Sequence, residues 1–513
     1  MNIVKQILLI FSIGFTLGST AQPFRYRDLL FDAGDTFKNV EYAQAEWLNN
    51  PIEILSDYNI HEGETITETR VLEMDIFVPR NDTLTKRPAI IFSHSGAFLL
   101  GSRQNDDMIA FCGSFARRGY VTATIDYRLG MGADVARFLG IIVGLNVNEK
   151  NAQRAGYRAV QDGRAAIRFL KQNAEIYGID SSKIFMVGSS AGAIQALSVL
   201  YLDHENEIPG SARAEPELGS LDAVGLAGPS SKPTAVVSMW GATWNTEQIE
   251  DNTTPLFLIH GEDDNIVPFK KGIPLEGTIP DNPFVHFNMP ETYGSFCIDT
   301  ALANKDIPHE TYFVKGKGHE FYGVNTGMFP PEGPNQYWDT IHQKISSFLL
   351  EQIKPEVQFE VELDGNKMAI INKSSENNYV LWNFGDGETS EEWQPEHIFN
   401  TKGEYTVTLK VCNDILACDT SSQIVEISQI TNSSYVSTNN ISVFPNPVSD
   451  ILYIRGAPNL FDAYLFDLTG QVQYQRENLS QNQLDVSLLA PGIYILKINS
   501  GNTSLIQKIS IIN

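Results

Sequence analysis

Ser190, His319 and Asp264 lie far apart in the chain, yet together they supply the residue types that attack an acyl carbon. Such an attack needs a nucleophile, a base, an acid that orients the base, and N–H donors for the oxygen that gains charge. Ser190 is the middle residue of Gly188-Ser189-Ser190-Ala191-Gly192. An apolar run, 184–187, precedes it, and an apolar-rich helical pattern starts at Ala193. Strand, sharp turn and helix is the setting in which G-x-S-x-G exposes a serine. The glycines belong there because the turn has no room for bulkier neighbours. Taken alone, the pentapeptide also reads as a Gly/Ser-rich loop between strand and helix. His319 adds a base, in Lys317-Gly318-His319-Glu320 just past an apolar run that ends at Val314. Asp264 adds an acid, in the acidic turn 260–268 after another buried run, with Asp263 as the alternative. An acid so placed keeps the imidazole in the right tautomer and stabilises imidazolium. The donors fall in His94-Ser95-Gly96-Ala97-Phe98. The backbone N–H groups of Gly96 and Ala97, with that of Ala191, are the oxyanion candidates, and His94 reads as a residue that fixes the loop.

These residues need strands that end on one edge. Residues 70–78 alternate apolar and polar, as a half-buried strand does. Residues 88–93 are continuously apolar, as a strand buried on both faces is. Helix patterns over 107–118, 154–177 and 337–351 alternate with β-rich runs at 121–126, 235–240, 255–260 and 309–314. Strands alternating with helices predict an α/β fold with a doubly wound, mainly parallel sheet. Such sheets place their sites at the carboxyl ends of the strands. Residues 22–64 carry no usable motif.

An insert follows the strand at 121–126. It holds Gly130-Met131-Gly132 and then Phe138-Leu139-Gly140-Ile141-Ile142-Val143-Gly144-Leu145. Soluble proteins rarely leave so many apolar side chains open to water. The insert reads either as a flap over an acyl pocket, with Phe98 and Trp240 as opposite walls, or as a small helix packed into the core. An apolar pocket discriminates poorly between neighbouring chain lengths. The expectation is broad activity on short to medium and aryl esters, and little on amides.

The set of motifs resembles the α/β-hydrolase carboxylesterases related to hormone-sensitive lipase and to bacterial feruloyl and acetyl esterases. The resemblance runs over roughly 64–352. It rests on 94–98, Asp126-Tyr127-Arg128-Leu129, Gln161-Asp162-Gly163-Arg164-Ala165-Ala166, 188–192, 260–268 and 316–319. It implies the chain order Ser190, Asp264, His319, which α/β-hydrolases use, and it favours Asp264 over Asp263. The loop 94–98 takes the place of an HGGG-type loop, with Ser95 and Ala97 where that pattern has glycine, so a positive φ there would be strained. The implied activity is serine carboxylester hydrolysis through an acyl-enzyme, with no metal and no cofactor, on small or polymeric esters that include acetyl or feruloyl groups of polysaccharides and polyesters. A prolyl-oligopeptidase-type peptidase shares the triad, but the residues before the first strands are too few for a propeller. A non-catalytic adhesin is the reading from another class.

Two further segments follow. Trp382-Asn383-Phe384-Gly385-Asp386-Gly387, with Pro395, His397, Phe399 and the strand pattern 403–409, resembles a PKD domain, an Ig-like sandwich. Val443-Phe444-Pro445-Asn446-Pro447, with 452–454, 466–470 and 491–497, resembles the C-terminal sorting domain of type IX secretion cargo. That resemblance implies a Bacteroidota-type cell, the type IX machinery as a partner, and a tail usually removed after export. At the other end, Lys5, the apolar core 7–17 and Ser19-Thr20-Ala21 read as a signal peptide. The expected division is signal peptide 1–21, catalytic domain 22–353, PKD domain 354–428, linker 429–440 and sorting domain 441–513. The chain is then secreted, to the medium or the cell surface, by way of the periplasm. A net charge of −25 argues against nucleic acid as a partner, and no apolar run is long enough to span a bilayer. In an oxidising compartment Cys412 and Cys418, separated by five residues, are expected to pair across a hairpin tip, and Cys112 and Cys297 to stay free on opposite faces of the sheet.

Overall fold

The computed structural model describes residues 24–512, apart from 33, 53–57, 65, 214–217, 251–253, 277–284, 376–378, 431–441, 457–459, 469 and 501–502. The expected signal peptide and most of the expected linker lie outside the described residues.

Eight strands form the central sheet: β1 (Asp35–Leu48), β2 (Ile66–Val78), β3 (Arg87–Ser93), β4 (Val121–Ile125), β5 (Ile179–Ser189), β6 (Val236–Met239), β7 (Leu256–Gly261) and β8 (Glu310–Val314). Their order is β1-β2-β4-β3-β5-β6-β7-β8. The β1–β2 and β2–β4 pairs are antiparallel and every other pair is parallel. This is the α/β-hydrolase arrangement, a mixed sheet with a parallel centre. Five helices matter for the site: α1 (Asp106–Ala116), α2 (Glu149–Gln172), α3 (Ala191–Tyr201), α4 (Ser295–Ala303) and α5 (Tyr337–Glu351).

The central strands are apolar throughout because both faces are covered. In β3, Ala89 and Ile91 face the core under α2, α3 and α4, while Ile90 and Phe92 face the core under α1 and α5. β5 repeats the alternation, with Ile184 and Met186 on one side and Phe185 and Val187 on the other. The two helices that carry Cys112 and Cys297 therefore lie on opposite faces, and both thiols are free.

Two of the sequence motifs serve the scaffold. Arg128 donates its backbone N–H to Asp162 Oδ2 (2.7 Å) and its Nε to Oδ1 (2.9 Å), and its Nη2 to Gln161 Oε1 (2.8 Å). The end of β4 is thus tied to the middle of α2 by a buried, fully hydrogen-bonded ion pair, the kind that fixes geometry more than it adds stability.

The insert after β4 is neither a small helix nor a flap. It is a β-hairpin, Met131–Phe138 and Ile141–Val147, in a four-stranded sheet with Ile60–Glu62 and Val285–Phe287. Met131, Ala133, Leu145 and Val147 at its base are buried, whereas Phe138, Leu139 and Ile141 at its tip stand in solvent.

Two β-sandwiches follow the α/β domain in the chain, each, among the described residues, a three-stranded sheet on a four-stranded one. Trp382 is at the centre of the first, fully buried. The strands Gly403–Cys412 and Cys418–Ile427 pair antiparallel, and Cys412 and Cys418 form a disulfide across their turn. The turn docks on the α/β domain. Ile415 and Ala417 join the core under α1 and α5, Tyr26 donates its hydroxyl to the Ile415 carbonyl (2.9 Å), and Asn413 Nδ2 donates to the Ile353 carbonyl (2.6 Å). Among the described residues no helix is long and apolar enough to cross a membrane.

Candidate active site

Ser190 sits between β5 and α3 with φ 53° and ψ −114°. A non-glycine residue there is strained by roughly 1–3 kcal/mol, and the surroundings hold it in place. Its N–H donates to the Met239 carbonyl (3.0 Å), and its carbonyl accepts from Ala193 (2.9 Å) and Ile194 (3.0 Å) in the first turn of α3. The two glycines of the motif are required by close approach. A Cβ on Gly188 would come within 2.1 Å of the Gly192 carbonyl oxygen, and one on Gly192 within 2.2 Å of the Ser93 carbonyl oxygen.

His319 stands 2.9 Å from Ser190 Oγ through Nε2, and its Nδ1 donates to Asp264 Oδ2 at 2.7 Å. The loop that carries His319 packs directly on Gly261 at the end of β7, where a Cβ would lie 2.3 Å from the Lys317 carbonyl oxygen. Asp264 follows in the next turn with its side chain fully buried. Its Oδ1 accepts from the backbone N–H groups of Ile266 (2.8 Å) and Val267 (3.0 Å). Asp263, the alternative acid, points to solvent.

A second histidine reaches the same carboxylate. His260 Nε2 is 3.2 Å from Asp264 Oδ2 and 3.0 Å from the Val267 carbonyl, and Nδ1 is 2.8 Å from Ser295 Oγ. Two acceptors at Nε2 place the proton there and leave Nδ1 to accept from the Ser295 hydroxyl. Burial works against the Asp264 carboxylate, but the hydrogen bonds from His260 and His319 outweigh it and hold its pKa well below the usual carboxylate range. The sequence reading gave His260 no role. Its position as the penultimate residue of β7, four before Asp264, is the signal that was available.

In the loop after β3, Ala97 and Phe98 both adopt left-handed backbone, φ 54° and 60°, beside Gly96 at φ 124°. The strain expected of a side chain in this loop falls on Ala97 and Phe98, and Ser95 escapes it. Ala97, Phe98 and Ala191 line one cavity with Ser190; Gly96 is not part of that wall. His94 Nδ1 donates to the Ser95 carbonyl (2.6 Å), and its ring stacks on Tyr127 at 4.2 Å. Burial lowers its pKa to about 4, so it is a neutral prop for the loop.

Trp240 is a correction. It does not wall the cavity. It is wholly buried beneath the site, donates Nε1 to Ser189 Oγ (2.9 Å), and meets the His319 ring edge-on at 6.2 Å. Its backbone, at φ 45°, turns it back under the sheet. The indole that does line the cavity is Trp244, four residues on. The exposed hairpin tip, Ile141 included, stands outside the wall as well.

Residues 56–210 match the Carboxylesterase family model, residues 358–428 the PKD domain, and residues 442–512 the Secretion system C-terminal sorting domain. The chain is 27% identical over 172 residues to Gut esterase 1 of Caenorhabditis elegans, covering 32% of this chain and 27% of that protein. It is 28% identical over 184 residues to Bile salt-activated lipase of Rattus norvegicus, covering 32% and 28%. The chain thus spans about a quarter of the length of these curated relatives. Thermogutta terrifontis esterase 2, solved as its tabun adduct, matches with 19% identity and a TM-score of 0.37 over 55% of this chain and 90% of that one. The sheet order gives the class of fold, the α/β-hydrolase arrangement, and within it residues 56–210 form a segment similar to the Carboxylesterase family. The particular chain joins that segment to a PKD domain and a secretion sorting domain.

Proposed function

We propose that this chain is an exported serine carboxylesterase. The reading is carried by one geometric relation: His319 lies within hydrogen-bond reach of Ser190 through one ring nitrogen and of a buried, ionised Asp264 through the other. Ser190 Oγ attacks the ester carbonyl and His319 Nε2 takes its proton. Asp264 stays ionised and stabilises the imidazolium. The carbonyl oxygen becomes an oxyanion that the N–H groups of Ala97 and Ala191 receive, with Gly96 the third candidate donor. Collapse breaks the C–O bond, and His319 returns the proton to the departing alcohol. Water, deprotonated by His319, then attacks the acyl-serine, and release of the acid restores Ser190. The carboxylesterase-family match and the esterase and lipase relatives support the reaction class. The sorting domain supports export by type IX secretion to the cell surface or beyond, with the periplasm as the intermediate compartment. Acyl groups on polysaccharides and polyesters are the polymeric substrates to test.

The test is p-nitrophenyl acetate hydrolysis by the wild-type chain and by Ser190→Ala. The variant is expected to melt as the wild type does and to lose on the order of 10⁶ in kcat. Retained hydrolysis in Ser190→Ala rejects the assignment of the nucleophile.

A further inference from the structure

The cavity beside Ser190 is small and almost wholly apolar. Phe98, Ile194, Trp244, Val267, Leu275 and Met289 are half of the residues in its wall. The space inside is about 30 Å³. One water-sized group needs about 10–15 Å³ of such space, so the cavity takes about two. The wall of this space includes Ser190, Ala97 and Ala191, so it holds the acyl carbonyl together with a small alkyl group, a methyl or at most an ethyl.

The wall is not uniform. Phe98 belongs to the strained loop beside the donor amides, and Ile194 to the first turn of the helix that follows the nucleophile. Trp244 is different. It lies in the loop after β6, outside the hydrogen-bonded machinery, and it is only half-buried. Its place depends on a glycine in another element. A Cβ on Gly156 of α2 would stand 2.7 Å from Trp244 Cζ2, and the three nearest atoms such a Cβ would meet are all Trp244 ring atoms. Only a residue without a side chain lets the indole lie there.

We propose that this cavity is an acyl site for acetate and propionate esters, that Trp244 limits the acyl length, and that Gly156 positions Trp244. The proposal rests on the esterase reading above and narrows the broad short-to-medium range expected from an apolar pocket. Apolar walls hold a chain by burial, at about 0.8 kcal/mol per CH₂. Where the wall stops the chain, that gain turns into a clash.

The experiment is kcat/KM for p-nitrophenyl acetate, propionate, butyrate and octanoate, with the wild type, Trp244→Ala, Trp244→Phe, Gly156→Ala and the Gly156→Ala/Trp244→Ala pair. For the wild type, kcat/KM is expected to fall about tenfold or more beyond propionate. Trp244→Ala should raise the octanoate-to-acetate ratio about tenfold or more, and Trp244→Phe, which keeps a wall, by less. Gly156→Ala should lower acetate turnover several-fold, and the same change should cost little once Trp244 is gone, the coupling expected of residues in contact. A wild type that takes octanoate as well as acetate overturns the proposal. So does a ratio unmoved in both Trp244 variants, or a Gly156→Ala penalty that persists without the indole. A wild type inert toward acetate would instead reject the esterase reading on which the proposal stands.

Discussion

Two carboxyl groups are buried on either side of the loop that carries His319, and they end in opposite states. Asp264 accepts from two histidine rings and two backbone N–H groups. Asp107, on α1, accepts from the Tyr322 hydroxyl (2.7 Å) and from the backbone N–H of Met108 (2.8 Å). Burial pushes Asp107 up to about 8, against the Tyr322 hydrogen bond and with help from the nearby Glu320. Burial acts the same way on Asp264 and loses. The difference is the number of donors, four at Asp264 and two at Asp107. A buried aspartate near a histidine is therefore no sign of a catalytic acid by itself. The donors around it, and which ring nitrogen faces it, decide.

Substitution at the two sites should separate those states. The largest effect is expected at Asp264. Asp264→Asn keeps the shape but reverses the tautomer preference of His319, and kcat should fall on the order of 10⁴-fold with melting little changed. Asp107→Asn should leave kcat within a few-fold and act on stability. In the fold Asp107 holds its proton up to about pH 8, whereas an unfolded aspartate ionises near its ordinary value of 3.8. Its contribution to stability is thus complete below that lower value and is lost as pH rises through the folded pKa. The melting temperature of the wild type should drop relative to Asp107→Asn between pH 5 and pH 8 and run parallel to it above about 9. Parallel curves from the start would show that Asp107 is ionised in the fold. The smallest effect is expected at the exposed Asp263, where Asn should change kcat by about twofold at most, in line with other surface substitutions. A loss at Asp263 larger than at Asp264 would reverse the comparison.

Much of this geometry is legible in the sequence because it hangs on punctuation. Gly188 and Gly192 mark a turn that tolerates no Cβ, and Gly261 marks the place where the His319 loop packs. Strands buried on both faces read as apolar runs, so β3, β5, β6 and β7 stand out. β1 does not, although it is 14 residues long. It is an edge strand whose first half is largely exposed, and its polar letters look like a loop. The hairpin at 131–147 misleads in the other direction. Its apolar tip suggests a pocket lid, yet whether an exposed residue faces a site or solvent depends on a sheet pairing that composition does not record. Trp240 and Trp244 illustrate the same limit. Both follow β6 on the side of the site, and a positive φ at Trp240, which a sequence does not announce, sends the first under the sheet and leaves the wall to the second. His260 was missed because its role is to hold another side chain.

The central claim, that Ser190 is the nucleophile of a charge-coupled Ser-His-Asp set, is tested most directly by covalent labelling. The full-length chain is treated with a p-nitrophenyl alkylphosphonate and the adduct is mapped by peptide mass spectrometry. The account predicts a single adduct on Ser190, approaching one per chain as esterase activity is lost, and formed far more slowly in Asp264→Asn. An adduct on any other residue, or full esterase activity in the labelled protein, would contradict it.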